Sequence, residues 1–115
     1  MRALVLALGL ALTAFPAVAE TIQPSDAPQH LGKPVTVEGT VSEVHTDARS
    51  GTTFINIGGF WPNPAFTGVI FADDAGKFPN VDSLTGKVVD ITGRMQSYKG
   101  RLEIIINDAA QLKAK

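Results

Sequence analysis

Two histidines, His30 and His45, are the first residues to suggest chemistry, but they lie far apart in a chain that has no cysteine. A metal site needs three or four converging ligands, so the pair reads as ordinary surface or half-buried histidines, and no metal is expected. Asp73-Asp74 offers two carboxylates for acid–base work. Adjacent side chains at the start of a helical turn point apart, however, and more readily serve as caps. Gly58-Gly59 lacks the Lys-Ser/Thr that follows in a phosphate-binding loop. Without cysteine, thiol nucleophiles and thiolate metal sites are excluded. The chain reads as a non-enzyme, with no catalytic residue and no cofactor.

Aromatic and basic residues form a clearer pattern. If Ile55, Ile57, Phe66 and Ile70 face inward, then Phe54, Asn56, Thr67, Val69 and Phe71 face outward. An exposed Phe54/Phe71 pair makes a platform on which bases stack, at about 1–3 kcal/mol for each base. The plain alternative is an inverted phase, or a loop that covers the pair. Arg49 sits in one polar turn, and Arg94, Tyr98, Lys99 and Arg101 gather around another. An aromatic ring among cations suits a single strand, with cations on phosphates and rings on bases; Lys99-Gly100 flanked by solvated charges is the bland reading. Phe60-Trp61, in a proline-rich loop, is a further candidate contact, with a lid packed over the interior as the plainer reading.

These residues need strands to place them. Val35, Val37, Gly39 and Val41 alternate with Thr36, Glu38, Thr40 and Ser42, the mark of a strand with one buried face. Val44 breaks the phase by one residue, which predicts a bulge or sharp bend near Ser42-Glu43. Further strands are expected over Thr52 to Ile57, Phe66 to Ala72, Val88 to Gln96 and Arg101 to Asn107. Asp73 to Leu84 lacks alternation and reads as a short helical turn capped by Asp73 or Asp74. Ser25 is placed to cap a turn in the lead-in, and Asp108 to Leu112 to close one end of the domain. Gly32 to Val41 and Gly86 to Met95 echo each other as G-K-x-V-x-(V/I)-x-G-x-(V/M). Two copies with unlike intervening segments do not make a repeat protein. They show two strands meeting one demand, a mid-strand glycine where the sheet curls or a neighbour comes close.

Three strands, a short helical segment and two more strands, with the first strand bent, is the layout of a five-stranded Greek-key barrel of the OB type. An SH3-like barrel lacks the helical insert, and an immunoglobulin-like sandwich wants about seven strands. The fold class expected is therefore all-β, with the helical segment between strands three and four. His30-Leu31-Gly32-Lys33, the Val-x-Val-x-Gly-x-Val strand, Thr53 to Ile57, Trp61-Pro62-Asn63, Phe66 to Phe71 and Thr92 to Ile106 resemble the bacterial exported OB-fold nucleic-acid-binding-like domains, which are similar to the OB domains accompanying secreted nucleases. The resemblance covers nearly all of the chain after its first twenty residues. It implies a module that binds single-stranded DNA, RNA or oligonucleotides, and the outward phase and turn cations place the candidate contacts at Arg49, Phe54, Asn56, Phe71, Arg94, Tyr98, Lys99 and Arg101.

Arg2, the apolar run Ala3 to Phe15 and Ala17-Val18-Ala19 give the three parts of a cleavable secretory signal. The run is too short for a membrane span, which takes about 20 apolar residues. The domains expected are thus a signal over 1–19, a lead-in over 20–30 and the OB domain over 31–115, in the periplasm or secreted. After cleavage nine Lys and Arg stand against eleven Asp and Glu, a net charge of −2. Proteins that grip phosphate backbones usually carry a strong positive balance, so a protein or oligosaccharide partner is the alternative. The mass of the exported chain tests the cut, which is expected to leave Glu20 as the first residue; an intact Arg2 in exported protein would refute it.

Overall fold

The computed structural model describes residues 19–115, so nearly all of the expected signal, residues 1–18, lies outside the described residues. The chain is mostly β. Strands β1 (Glu20–Ile22), β2 (Pro34–Thr46), β3 (Thr53–Ile57), β4 (Phe66–Ile70), β5 (Val88–Arg94), β6 (Gln96–Tyr98), β7 (Arg101–Ile105) and β8 (Leu112–Ala114) form one sheet in the order β6-β7-β4-β3-β2-β5-β8, with β1 paired to β2. β1 runs parallel to β2 and β4 parallel to β7; the other pairs are antiparallel. Short 3-10 segments connect them at Pro24–His30, Ala72–Lys77, Val81–Leu84 and Ala109–Gln111. No helix among the described residues is long and apolar enough to cross a membrane.

The sheet has eight strands where five were expected, and the three short additions have separate causes. β3 pairs only with the later half of β2, from Val41 on. The first half therefore has a free edge, and β1 fills it with Glu20 opposite Val35 and Ile22 opposite Val37. The expected strand Val88 to Gln96 breaks at Met95, whose N–H donates to the Lys33 carbonyl and whose carbonyl accepts from the Gly32 N–H. Beyond it β6 turns to β7. β8 covers the outer edge of β5, after a 3-10 turn whose Asp108 and Gln111 form a capping box.

The sequence echo is a local two-fold symmetry. β2 and β5 pair with Val37 opposite Ile91, Val35 opposite Gly93 and Gly39 opposite Val89. Each strand thus sets its glycine against the other's valine. The flanking turns follow: Gly32 donates to Met95 and Met95 to Lys33, while Gly86 donates to Val41 and Val41 to Lys87. Both glycines are places of close approach, made by side chains. A Cβ on Gly39 would lie 2.6 Å from Ile57 Cγ2 and 2.8 Å from Pro24 Cγ, and one on Gly93 would run into Ile104 Cγ2.

The phase break in β2 is a bulge. Val41 stands opposite Ile57 and Glu43 opposite Asn56, leaving Ser42 as the extra residue. Val41 is buried and Val44 packs against the core, while Glu43 and His45 pass to the outer face. The interior holds Val35, Val37, Ile55, Ile57, Phe66 and Ile91, each at most 1% exposed. Neither expected cap forms. The first 3-10 segment begins at Pro24, with Gln23 in the cap position and no side-chain bond from Ser25. The second starts after Phe71, and Asp74 instead pairs with Lys77 at 2.8 Å.

Gly39→Ala is expected to destabilise the fold by about 1–3 kcal/mol through overpacking. Gly76→Ala, which meets nothing within 4 Å, should stay within about 0.5 kcal/mol. Paired urea melts measure both, and equal midpoints would show that the close approach at Gly39 does not matter.

Candidate functional site

The outer face of β2, β3, β4, β7 and β6 carries a row of polar side chains that crosses all five strands. Glu43 lies opposite Asn56, Asn56 opposite Thr67, Thr67 opposite Glu103 and Glu103 opposite Gln96. Asn56 Nδ2 donates to Glu43 Oε2 at 2.8 Å, the Thr67 hydroxyl donates to Asn56 Oδ1 at 2.8 Å, and Gln96 Nε2 donates to Glu103 Oε2 at 3.0 Å. Asn56, Thr67 and Glu103 are buried. Buried polar groups need such partners, because an unsatisfied one costs about 1–3 kcal/mol.

Two open clefts flank Phe54 on this face. The larger, about 550 Å³, is lined by Glu43, His45, Asp47, Ser50, Phe54, Asn56, Trp61 and Arg101. The smaller, about 310 Å³, is lined by Thr52, Phe54, Val69, Phe71, Gln96, Tyr98, Arg101, Glu103 and Ile105. Phe54 and Arg101 belong to both. The Arg101 guanidinium carbon lies 5.0 Å from the Trp61 ring centre, 5.8 Å from Phe54 and 6.0 Å from Tyr98, within reach for cation–π attraction. Its Nε is buried and has no hydrogen-bond partner.

The turn between β6 and β7 sets this arrangement. Lys99 and Gly100 both have positive φ, 51° and 80°, as a two-residue type I′ hairpin requires. Tyr98 therefore faces Arg101 directly, and Lys99 Nζ lies 5.4 Å from the Tyr98 ring. On the other side, Glu43 Oε2 accepts the Trp61 backbone N–H at 2.7 Å and so ties the Gly58–Pro64 loop to β2. His45 stacks on Phe54 with centroids 6.5 Å apart.

The residues singled out from sequence divide. Phe54, Phe71, Tyr98 and Arg101 come together, with Phe71 and Tyr98 exposed and Phe54 half-buried. Lys99 flanks them. Asn56 takes the expected outward phase but is 2% exposed, because Glu43 and Thr67 enclose its amide. Arg94 lines neither cleft; its guanidinium donates to the Gly32 carbonyl, away from the second turn's cluster. Arg49 is exposed in the Asp47–Gly51 turn and also lines neither cleft. Trp61 does not pack down as a lid; it is 58% exposed, with Phe60 at 63%. Glu43, Gln96 and Glu103 were not foreseen. The bulge could have flagged Glu43, and Glu103 stands two residues from Arg101 in the same phase.

Two carboxyls on this face are shifted in opposite directions. Burial pushes Glu103 above the ordinary 4.5, against the Gln96 hydrogen bond and the Arg101 charge. The Trp61 N–H, then the Asn56 amide, hold Glu43 below 4.5. A lowered value means that the contact with the Trp61 loop persists as pH falls through 4.5 and is lost only at the lower folded value. Trp61 is the only tryptophan, so its emission reports this loss. The expected result is an acid transition with a midpoint below 4.5 that disappears in Glu43→Gln; a transition unchanged in that variant would refute the assignment.

No family model matches the chain, and no curated protein matches it. Solved structures do. OBody AM1L10, bound to hen egg-white lysozyme, has a TM-score of 0.62 at 18% identity, over 88% of this chain and 98% of that one. The asparaginyl-tRNA synthetase of Entamoeba histolytica has a TM-score of 0.59 at 21% identity, over 86% of this chain and 24% of that one. The aspartyl-tRNA synthetase of the same organism has a TM-score of 0.57 at 14% identity, over 84% and 21%. The chain therefore spans about a quarter or less of these synthetases. At such identities the likeness shows the fold alone, and that fold is of the OB type.

Proposed function

We propose that this chain is an exported, non-catalytic OB module that binds a short single-stranded nucleic acid across the outer face of β3, β4 and β7. The observation that carries the reading is Arg101, held among the rings of Phe54, Trp61 and Tyr98 between two clefts, with a buried Nε that lacks an acceptor. Exposed rings take base faces, and a guanidinium takes phosphate or a base carbonyl. The synthetases in the comparison are enzymes of tRNA, which is compatible with this ligand class. The signal pattern around Arg2 and Ala17-Val18-Ala19 supports export.

The reading includes a closed five-stranded Greek-key barrel. Its support is that the ends of the β6-β7-β4-β3-β2-β5 path meet in sequence, since Met95 alone separates β5 from β6. Non-catalysis rests on the sparse chemistry of the chain. His30 lies 3.9 Å from Glu20 and His45 stacks on Phe54, so the two histidines have different partners. A protein or oligosaccharide ligand is the second reading, favoured by Glu43, Asp47 and Glu103 lining the clefts and by the lysozyme bound to the OBody.

Anisotropy titration of labelled single-stranded DNA tests the choice. Binding is expected at low salt and should weaken as salt rises with a shallow slope, because counterions are released on association and only Arg101 and the flanking Lys99 are placed to meet phosphates. Phe71→Ala should weaken it by about 1–3 kcal/mol, the contribution of one stacked base. Arg94→Ala, outside both clefts, should leave it unchanged. No binding at low salt would remove the nucleic-acid reading and leave the second.

A further inference from the structure

The polar row has an unequal supply of donors and acceptors. Thr67 gives its only hydroxyl proton to Asn56, and Asn56 and Gln96 each give an amide proton to a carboxylate within the row. Within the row, the carboxylates keep the largest free acceptor capacity, each having two oxygens and about four lone-pair sites, while Gln96 keeps a second amide proton and Arg101 supplies donors beside them. Glu43 Oε2 serves Asn56 and Trp61, and Glu103 Oε2 serves Gln96, so the second oxygen of each carboxylate has no hydrogen bond within the row.

The smaller cleft gathers these features. Phe71 and Tyr98 line it and are exposed, and Glu103 lines it while 4% exposed. Arg101 stands two residues from Glu103 on the same face of β7 and brings its guanidinium to the cleft, although its Nε is itself buried. A flat ligand seated there has an acceptor in the Glu103 carboxylate and donors in the Arg101 guanidinium, both on the lining of the same cleft. Its volume of about 310 Å³ is at the small end for ligand pockets.

We infer that this cleft reads one base by its pairing edge, and prefers cytosine or adenine to thymine or uracil. The inference rests on the nucleic-acid reading above and names the base class for that site. Cytosine and adenine set an exocyclic amine beside a ring-nitrogen acceptor, so the amine donates to Glu103 while the ring nitrogen accepts from Arg101. Thymine and uracil present a carbonyl where the amine would stand, and a carbonyl oxygen against a carboxylate oxygen leaves two acceptors facing each other. Acidic side chains accept from the cytosine amine elsewhere by the same logic. The burial that raises Glu103 also makes the match more consequential, since an unmet charge in a low-dielectric floor is costly.

The experiment is a low-salt anisotropy series with labelled oligo-dC, oligo-dA and oligo-dT of equal length. Oligo-dC and oligo-dA are expected to bind roughly five- to tenfold more tightly than oligo-dT, the discrimination one amine-to-carboxylate contact supports. Glu103→Gln replaces one acceptor oxygen with an amide donor of the same shape. It should shrink the ratio to below about twofold by weakening oligo-dC and strengthening oligo-dT, as the donor inventory dictates. A purely structural role for Glu103 would weaken all three alike and leave the ratio intact, which overturns the inference. Equal binding of the three oligonucleotides by the unaltered protein overturns it as well, with the nucleic-acid reading intact. If none binds, both fall.

Discussion

One strand has to serve two neighbours that want different phases. The first half of β2 pairs with β5 and β1, and its second half pairs with β3. A regular strand could not keep Val41 and Val44 both toward the core, because alternation is strictly two-fold. The extra residue at Ser42 resolves the conflict by shifting the register between Val41 and Glu43. Everything on the outer face follows from this shift. Without it Glu43 would point inward, the Trp61 N–H would lose its acceptor, and the polar row would lose its first member.

The paired glycines are the other side of the same geometry. Gly39 and Gly93 let Ile57, Pro24 and Ile104 press against β2 and β5 where no side chain fits. Gly68 does the same in β4, where a Cβ would lie 2.9 Å from both Ile106 Cδ1 and Ile91 Cδ1. An interior packed this tightly holds the outer rows rigidly in register, since close-packed cores resist small displacements. Rigid placement matters because Phe54, Arg101 and Glu103 line one cleft only if β3 and β7 keep their spacing through β4.

The outer face buries charge. Glu103 is nearly enclosed, and Arg101 keeps a guanidinium nitrogen away from water without a partner. Such groups cost stability. The net negative charge of the chain makes long-range attraction to a polyanion weak, so the nucleic acid we propose for this face is held mainly by short-range stacking and hydrogen bonds. A shared OB fold does not decide between ligands.

Much of the fold was legible in the chain. Alternation located the five long strands, the Val44 phase break located the bulge, and the Gly32–Val41 and Gly86–Met95 echo marked two strands that turn out to pair with each other. These signals are local, because side chains one and two residues apart report which face of a strand is buried. Burial across strands is not local. That Asn56 is enclosed, that Arg94 turns to Gly32 and that Trp61 stays exposed depend on residues far away in sequence. The Glu103 carboxyl became visible as a site residue only once β4 and β7 lay side by side in parallel, a pairing set by the path of the whole chain. The sequence by itself determined which way the side chains of each strand point; tertiary structure alone decided which outward side chains, Asn56, Thr67 and Val69 among them, are covered and which of them meet, because hydrogen bonds and ring contacts act over a few ångströms in space, whatever the separation along the chain.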